Sequence, residues 1–160
     1  MPKEWRSVPE STWAVPGTPL AAWSGPHGSS LVVYRSLPMP GGDAAMFSEA
    51  LYHRLVGLPG MNIVSRTIER LGSVEAARLE AVAPGTGDAL APTGIGVATA
   101  PKGQELQATR RIVIGFPRPA DTLVMVWHLP ETAYGDLREE IQATLKGLHV
   151  DVPQAKVSSY

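Results

Sequence analysis

The sequence predicts an α+β domain in which an antiparallel β-sheet is flanked by helices. Residues 43–58 and 132–148 repeat apolar side chains at helical spacing, whereas most segments between them have the pattern of strands. These strand-like segments follow one another at the short spacing of hairpins, and hairpins build antiparallel sheets. A chain of 160 residues has the usual size of one domain, so we expect a single core.

The first strand is predicted at residues 31–37, and it ends at a cluster of prolines and glycines in 38–42. A helix follows over 43–58. Asp43 is placed to cap its N-terminus, and the Gly-Leu-Pro-Gly sequence at 57–60 ends it. The apolar face of this helix is formed by Phe47, Leu51, Leu55 and Leu58.

Two hairpins are predicted between the helices. The first joins strands at 61–71 and 74–82 through a Gly-Ser turn, and the second joins strands at 106–116 and 122–129. In the middle of the second hairpin, the side chains on both faces of the strands are apolar, as expected for central strands that are covered on both sides. The closing helix at 132–148 has an apolar stripe formed by Tyr134, Leu137, Ile141, Leu145 and Leu148.

We predict one domain at 30–150, with an arm before it, an insertion within it and a tail after it. Residues 1–29 form an extended arm rich in Trp, Pro and Gly. Residues 84–104 form an insertion rich in Gly, Ala, Pro and Thr, which we interpret as mobile, with a functional loop as the alternative. The tail at 151–160 has no periodicity and is expected to be loose.

The arm carries three tryptophans, Trp5, Trp13 and Trp23, and we expect short extended pieces at 12–15 and 20–23. Large aromatic side chains on such a broken, polar segment need an apolar surface to cover. We therefore interpret them as anchors that pack the arm on its own domain. The alternative is a partner-binding surface, because Trp is enriched at interface hot spots.

The composition excludes several classes of function. Fourteen Lys and Arg residues against fifteen Asp and Glu residues give a net charge of −1, without the basic excess typical of nucleic-acid binding. The lack of cysteine excludes disulfides, thiolate catalysis and Cys-based zinc sites. No apolar run reaches the ~18 residues that span a bilayer, and no signal segment precedes Trp5. We expect no membrane span in this chain, and its compartment and oligomeric state stay open.

No catalytic, cofactor or metal signature is present. The histidines lack a His-Glu-x-x-His pair, the Gly-x-Ser-x-Gly elbow is absent, and the Gly-Ile-Gly-Val sequence at 94–97 lacks the third glycine of a dinucleotide fingerprint. We therefore predict no catalytic residue, no cofactor and no metal ligand. His27 is expected in a surface turn, and His53 and His128 are expected off the apolar faces of their elements.

Charged residues of both signs interleave on the predicted strands. Opposite charges at strand spacing favour cross-strand ion pairs on an exposed patch of the sheet. The alternative is that this patch docks a charged partner. The residues are Arg66, Arg70, Arg78, Arg110 and Arg111, with Glu69, Glu75 and Glu80.

The segment Ser30-Leu31-Val32-Val33-Tyr34-Arg35 resembles the Ser-Leu-Val-Val-x-Arg strand of the bacterial PsbP-like superfamily, which includes DcrB-type lipoproteins and Eag-type chaperones. The sequences at 58–61 and 71–76 are similar to this superfamily too, and the resemblance extends over 30–148. It implies an α/β/α sandwich around an antiparallel sheet. It also implies a non-enzymatic role in binding or assembly, often outside the cytoplasm. The insertion and the tryptophan arm depart from the pattern, and no functional residue carries over.

Three functional hypotheses follow. The first is a non-enzymatic module that presents a groove or a sheet face to a protein partner. The second is a small hydrolase-like enzyme that uses His27, His53 or His128 with a nearby acid. The third is a domain that binds a small apolar ligand between sheet and helix.

Overall fold

A computed structural model of the chain describes residues 4–8, 19–36, 43–58, 60–71, 74–83, 108–118 and 121–148. The described residues form seven strands and two helices. The strands are β1 (Arg6–Ser7), β2 (Pro19–Ser24), β3 (Ser30–Ser36), β4 (Asn62–Leu71), β5 (Val74–Ala83), β6 (Thr109–Pro117) and β7 (Thr122–Pro130). The helices are α1 (Ala44–Val56) and α2 (Tyr134–Lys146), and short 3₁₀ turns lie at Pro26–Gly28 and Glu131–Ala133.

All seven strands belong to one antiparallel sheet with the order β1-β2-β3-β7-β6-β5-β4. The two predicted hairpins are present as β4–β5 and β6–β7, and the extended piece expected at 20–23 is part of β2. Strand β7 lies at the centre of the sheet. The long-range pairing of β3 with β7 joins the N-terminal strands to the rest of the sheet.

The two helices cover opposite faces of the sheet. Residues paired across antiparallel strands share a face, so Leu31, Ile112 and Trp127 lie on one side, where α2 packs its stripe of Leu137, Ile141 and Leu145. We call this side the α2 face. On the other side, the α1 face, Phe47 and Leu55 of α1 pack on side chains that include Leu79, Ala81, Val113, Val124 and Val126. The predicted α+β class with flanking helices is confirmed.

The predicted helix cap is present. Asp43 lies just before α1, and its Oδ1 accepts a hydrogen bond from the backbone N–H of Met46 at 2.7 Å. This bond satisfies one of the unpaired N–H groups at the start of the helix, and the carboxylate also suits the positive end of the helix dipole. Helix α2 begins later than predicted, because a 3₁₀ turn at Glu131–Ala133 follows Pro130.

Helix α1 approaches the sheet closely at Gly115 of β6. A Cβ atom at this glycine would lie only 2.5 Å from Cζ of Phe47, so the ring occupies the space that a side chain would take. Several predicted features lie outside the described residues: the extended piece at 12–15 with Trp13, the insertion at 84–104 and the tail at 151–160.

The contact of Phe47 with Gly115 yields a stability prediction. We expect Gly115→Ala to lower the free energy of unfolding by about 1–3 kcal/mol, because the added methyl group overpacks the core against the Phe47 ring. Chemical denaturation monitored by circular dichroism measures the change.

A matched control is Gly135→Ala in α2, where an added Cβ would meet no atom within 4 Å. This change should leave stability equal or slightly higher, since Ala is the better helix former. Equal stability of the two variants would contradict the close packing of α1 on β6.

Candidate functional site

The α2 face carries an open groove of about 540 Å³ beside the C-terminal end of α2. Its floor is formed by β3 and β7, one wall by the indole of Trp23 on β2, and the other wall by the last turn of the helix. The lining residues are Trp23, Leu31, Val33, Leu123, Met125, Ala143, Thr144, Gly147 and Leu148. The groove is therefore a place where the sheet is left uncovered by its helix.

The lining of this groove is almost entirely apolar. Leu31 and Met125 are buried at its floor, whereas Trp23, Val33 and Leu123 are half-buried at its sides. No charged side chain of the described residues lines it. The hydroxyl of Thr144 already donates to the carbonyl oxygen of Glu140 at 2.9 Å, so it offers little to a ligand. An occupant must therefore present an uncharged, apolar surface.

An ion-pair network holds the N-terminal half of α2 on the sheet. The Arg110 guanidinium binds both oxygens of Glu131 at 2.7 Å and Oε1 of Glu80 at 3.0 Å. It also stacks 3.8 Å from the centre of the Tyr134 ring. The hydrogen bonds to Glu131 are the main reason that the pKa of Arg110 is raised.

The network continues through Arg78, which lies 3.3 Å from Glu80 and 3.8 Å from Glu69. In the amide orientation that satisfies both partners, the side-chain oxygen of Gln142 on α2 accepts from Nη1 of Arg78 at 2.8 Å. Arg78 and Glu80 are only 5% and 7% exposed. The expectation of an exposed charged patch is therefore wrong for Arg78 and Glu80, because α2 lies over their side chains.

A second polar cluster lies on the α1 face. Arg111 on β6 and His128 on β7 are direct partners in the strand register, and they are 5% and 2% exposed. Burial, reinforced by the Arg111 charge, lowers the pKa of His128 to about 3, so the imidazole is neutral at pH 7. Burial also lowers the pKa of Arg111 to about 10, which leaves the guanidinium charged at pH 7.

Tyr34 and Arg54 belong to the same region. Burial raises the pKa of Tyr34, and the nearby charges of Arg54 and Arg111 oppose this change. The expectation that His128 lies off the core is wrong, since the α1 face is also buried at β7. The expectation of an exposed Arg111 is wrong for the same reason.

The five arginines expected in one patch do not form one. Strand parity places Arg78 and Arg110 on the α2 face and the other three on the α1 face. Arg66 on β4 donates to Ser48 Oγ at 2.7 Å and also pairs with Glu49 on α1. Its guanidinium lies 4.9 Å from the Tyr52 ring, so Arg66 helps to hold α1, and Arg70 is exposed.

The two described tryptophans of the arm have different surroundings. Trp5 is 8% exposed in the α2-face core, and its Nε1 donates to Glu140 at 3.3 Å. A Cβ atom at Gly25 would lie 2.8 Å from the Trp5 ring, so this glycine makes room for the indole. Trp23 instead forms a wall of the groove.

The histidines named as catalytic alternatives are not brought together. His27 is exposed in the turn between β2 and β3, with a left-handed φ of 59°. His53 is exposed on α1, where Nε2 lies 2.9 Å from Oε1 of Glu49. Among the described residues no contact joins two of these histidines, and no group of three His, Asp or Glu side chains could hold a metal ion.

Reasoning from the sequence proposed a groove, or a site between sheet and helix, but did not locate it, although it singled out Trp23 and the stripe residue Leu148. It also missed Tyr34 and Arg54 as neighbours of Arg111. One signal in the sequence could have indicated the groove. The strands β3 and β7 carry more apolar residues than the short closing helix can cover. No described helix is long and apolar enough to cross a bilayer.

Similar folds are found among solved structures. A protein of unknown function from Pseudomonas aeruginosa, PA94, described as a putative regulator, has a TM-score of 0.54 and 14% identity, with 92% of this chain and 81% of that chain covered. Cyanobacterial PsbP (CyanoP) from Synechocystis has a TM-score of 0.57 and 10% identity, with 94% and 84% covered. LpqN from Mycobacterium tuberculosis, described as involved in cell envelope biogenesis, has a TM-score of 0.45 and 15% identity, with 88% and 75% covered.

No protein-family model matches the sequence, and no curated protein is significantly similar to it. At these identities the likeness to PA94 and to CyanoP shows the fold alone. The PsbP-like fold implied by the resemblance is confirmed. The narrower resemblance to DcrB-type lipoproteins and Eag-type chaperones stays an expectation.

The ion-pair network predicts a large effect at one glutamate. We expect Glu80→Ala to lower the free energy of unfolding by about 3 kcal/mol or more, because it leaves two largely buried guanidinium groups without this carboxylate. The exposed Glu75→Ala on the same strand is the control and should change stability by less than about 0.5 kcal/mol. Similar urea midpoints for the two variants would contradict the role given to Glu80.

Burial of neutral His128 predicts sensitivity to acid. Its pKa is about 3 in the folded protein, and an unfolded histidine titrates at ~6.5. Between these values the unfolded chain binds the extra proton, so stability falls as the pH drops through this range. His128 should contribute about 2 kcal/mol to the loss between pH 7 and pH 5.

Urea denaturation at both pH values measures this effect. The His128→Phe variant should lose that part of the pH dependence, whereas the exposed His53→Gln control should keep it. Identical pH dependence in wild type and His128→Phe would show that the imidazole is not held neutral by burial.

Proposed function

We propose that this chain is a non-enzymatic binding module that holds an uncharged, apolar segment of a protein partner in the groove beside α2. The observation that carries the proposal is the groove itself, since the described residues that line it are almost all apolar and none is charged. The side chains of Trp23, Val33 and Leu123 are only half-buried, so they expose apolar surface that a partner can bury.

The form of the groove favours a chain segment over a small molecule. It is partly open to solvent and is bounded by the last turn of α2 and by the sheet. Such a site resembles the grooves that accept amphipathic segments through apolar anchors. Trp23 at its wall is the residue type most enriched at interface hot spots. We assign it the direct contact with the partner, and we assign Trp5 the task of holding the arm in place.

Two further observations support a module without catalysis. The described histidines stay apart, and the carboxylates near α2 are engaged by Arg78 and Arg110. The fold is shared with proteins described as PsbP and as a putative regulator. Arg66 and Arg70 are exposed but lie on the α1 face, opposite the groove, and Arg78 and Arg111 are buried, so we assign none of these arginines to this partner.

The second candidate function is binding of a small apolar ligand between sheet and helix. The groove volume of about 540 Å³ favours it, because ligand pockets commonly occupy roughly 300–1,000 Å³. The two functions differ in the size of the occupant and not in its chemistry.

A charge placed in the groove tests the proposal. Ala143 is exposed on α2 and lines the groove, so Ala143→Arg should weaken binding of apolar peptides about tenfold or more without unfolding the protein. Fluorescence polarisation with a panel of labelled, uncharged apolar peptides of about 10–15 residues measures this change.

The matched control is Ala50→Arg, at an exposed alanine in the middle of α1 on the opposite face. It should bind peptides like the wild type. Absence of peptide binding, or equal binding by both variants, would overturn the proposal. Binding of free fatty acids without any peptide, lost in Ala143→Arg, would replace it with the small-ligand function.

A further inference from the structure

The buried polar cluster on the α1 face has no part in the proposed groove function. Its centre is the register pair of Arg111 and His128 on the two central strands. Ser30 of β3 is the next residue in the same row, because it pairs with His128 from the other side. These three side chains belong to the face opposite the groove.

The two central side chains are buried, and most of their polar atoms have no hydrogen-bond partner among the described residues. Nε and Nη2 of Arg111 and both ring nitrogens of His128 have no hydrogen-bond partner within the described part of the chain. No carboxylate there pairs with Arg111, although carboxylates pair with Arg35, Arg66, Arg78, Arg110 and Arg118. Native proteins rarely leave buried donors unsatisfied, and an uncompensated buried charge is strongly destabilising.

Further donors lie around this pair. The charge of Arg54, near the end of α1, is close enough to act on both Arg111 and Tyr34. Among the described residues, Arg54 and Tyr34 therefore lie within electrostatic reach of Arg111, while His128 and Ser30 share its row of the sheet. A guanidinium fork matches the paired oxygens of a carboxylate or phosphate.

We infer that Arg111, His128, Tyr34 and Arg54 form a binding site for a small oxyanion, with a phosphate group preferred over a monocarboxylate. The preference follows from the charges, since two guanidinium groups balance a doubly charged group better than a singly charged one. The Arg111 fork holds two oxygens, and the neutral imidazole and the phenol donate to others. The anion supplies acceptors for the unpaired guanidinium N–H groups of Arg111 and for the one N–H group of the neutral His128 imidazole.

This site is independent of the groove, so its failure leaves the proposed function untouched. It also explains why a strand in the middle of the sheet keeps a charged residue at Arg111. Without the anion, this position favours an apolar side chain of similar volume.

Thermal unfolding in Tris buffer at pH 7 tests the inference, with sodium chloride used to match ionic strength. Inorganic phosphate at millimolar concentration should raise the Tm of the wild type by several degrees, because it binds only the folded state. Acetate should raise it less. Arg111→Met should lose the phosphate effect and have an equal or higher Tm without phosphate. Arg138→Gln, at an exposed position on α2, should keep the wild-type response.

Isothermal titration calorimetry measures phosphate affinity directly and adds a second variant. Arg111→Lys keeps the charge but lacks the fork, so its phosphate Kd should be about tenfold or more above that of the wild type. In the wild type, the imidazole NMR signals of His128 should shift during the titration. Lack of a phosphate response in the wild type, or an equal response in Arg111→Met, would overturn the inference.

Discussion

The pairing of β6 with β7 is the constraint on which the rest of the structure depends. In its register Ile112 lies opposite Trp127 on the α2 face, and Arg111 lies opposite His128 on the α1 face. A shift by one residue would exchange the two faces and bury these charges under α2. The apolar core of one side and the polar cluster of the other are thus two consequences of a single alignment. Trp127 and Ile112 are both fully buried, which fixes that alignment strongly.

The size of the helices then decides what the sheet leaves open. Helix α2 has thirteen residues and is about 20 Å long. Helix α2 is attached over β5 and β6 through Arg110 and Glu131, and its last turn stops beside β3 and β7. The strands beyond that turn keep an apolar surface, and this is the groove. The network of Arg110 and Arg78 contacts α2 at Tyr134 and Gln142, and it thereby positions the helix whose last turn borders the groove.

Much of this fold could be predicted from the sequence, because local signals and tertiary structure agree. The Asp43 cap, the stripe of α2 and both hairpins follow from short-range patterns. Arg78 and Glu80 could not be placed, since alternation with Ala77 and Leu79 indicates only that they share a face. Whether a helix covers that face is a long-range property. The same limit applies to His128, whose burial requires the neighbouring strands β3 and β6.

The candidate site was less predictable than the fold. Its residues come from β2, β3, β7 and α2, which are distant in sequence and carry no shared motif. Trp23 could be singled out only as a large aromatic residue on a broken segment. The neighbours of Arg111 are similarly dispersed, since Tyr34, Arg54 and His128 belong to three different elements. Sites built by convergence of single residues leave little local pattern in the sequence.

The division of side chains between the two faces is the central claim, and NOESY spectra of the folded protein test it most directly. The indole protons of Trp127 should show contacts with the methyl groups of Ile112 and Leu31, and the ring protons of His128 should show contacts with Arg111. Contacts of the Trp127 indole with Phe47 or Leu55 of α1 would contradict the claim, because they would place Trp127 on the opposite face.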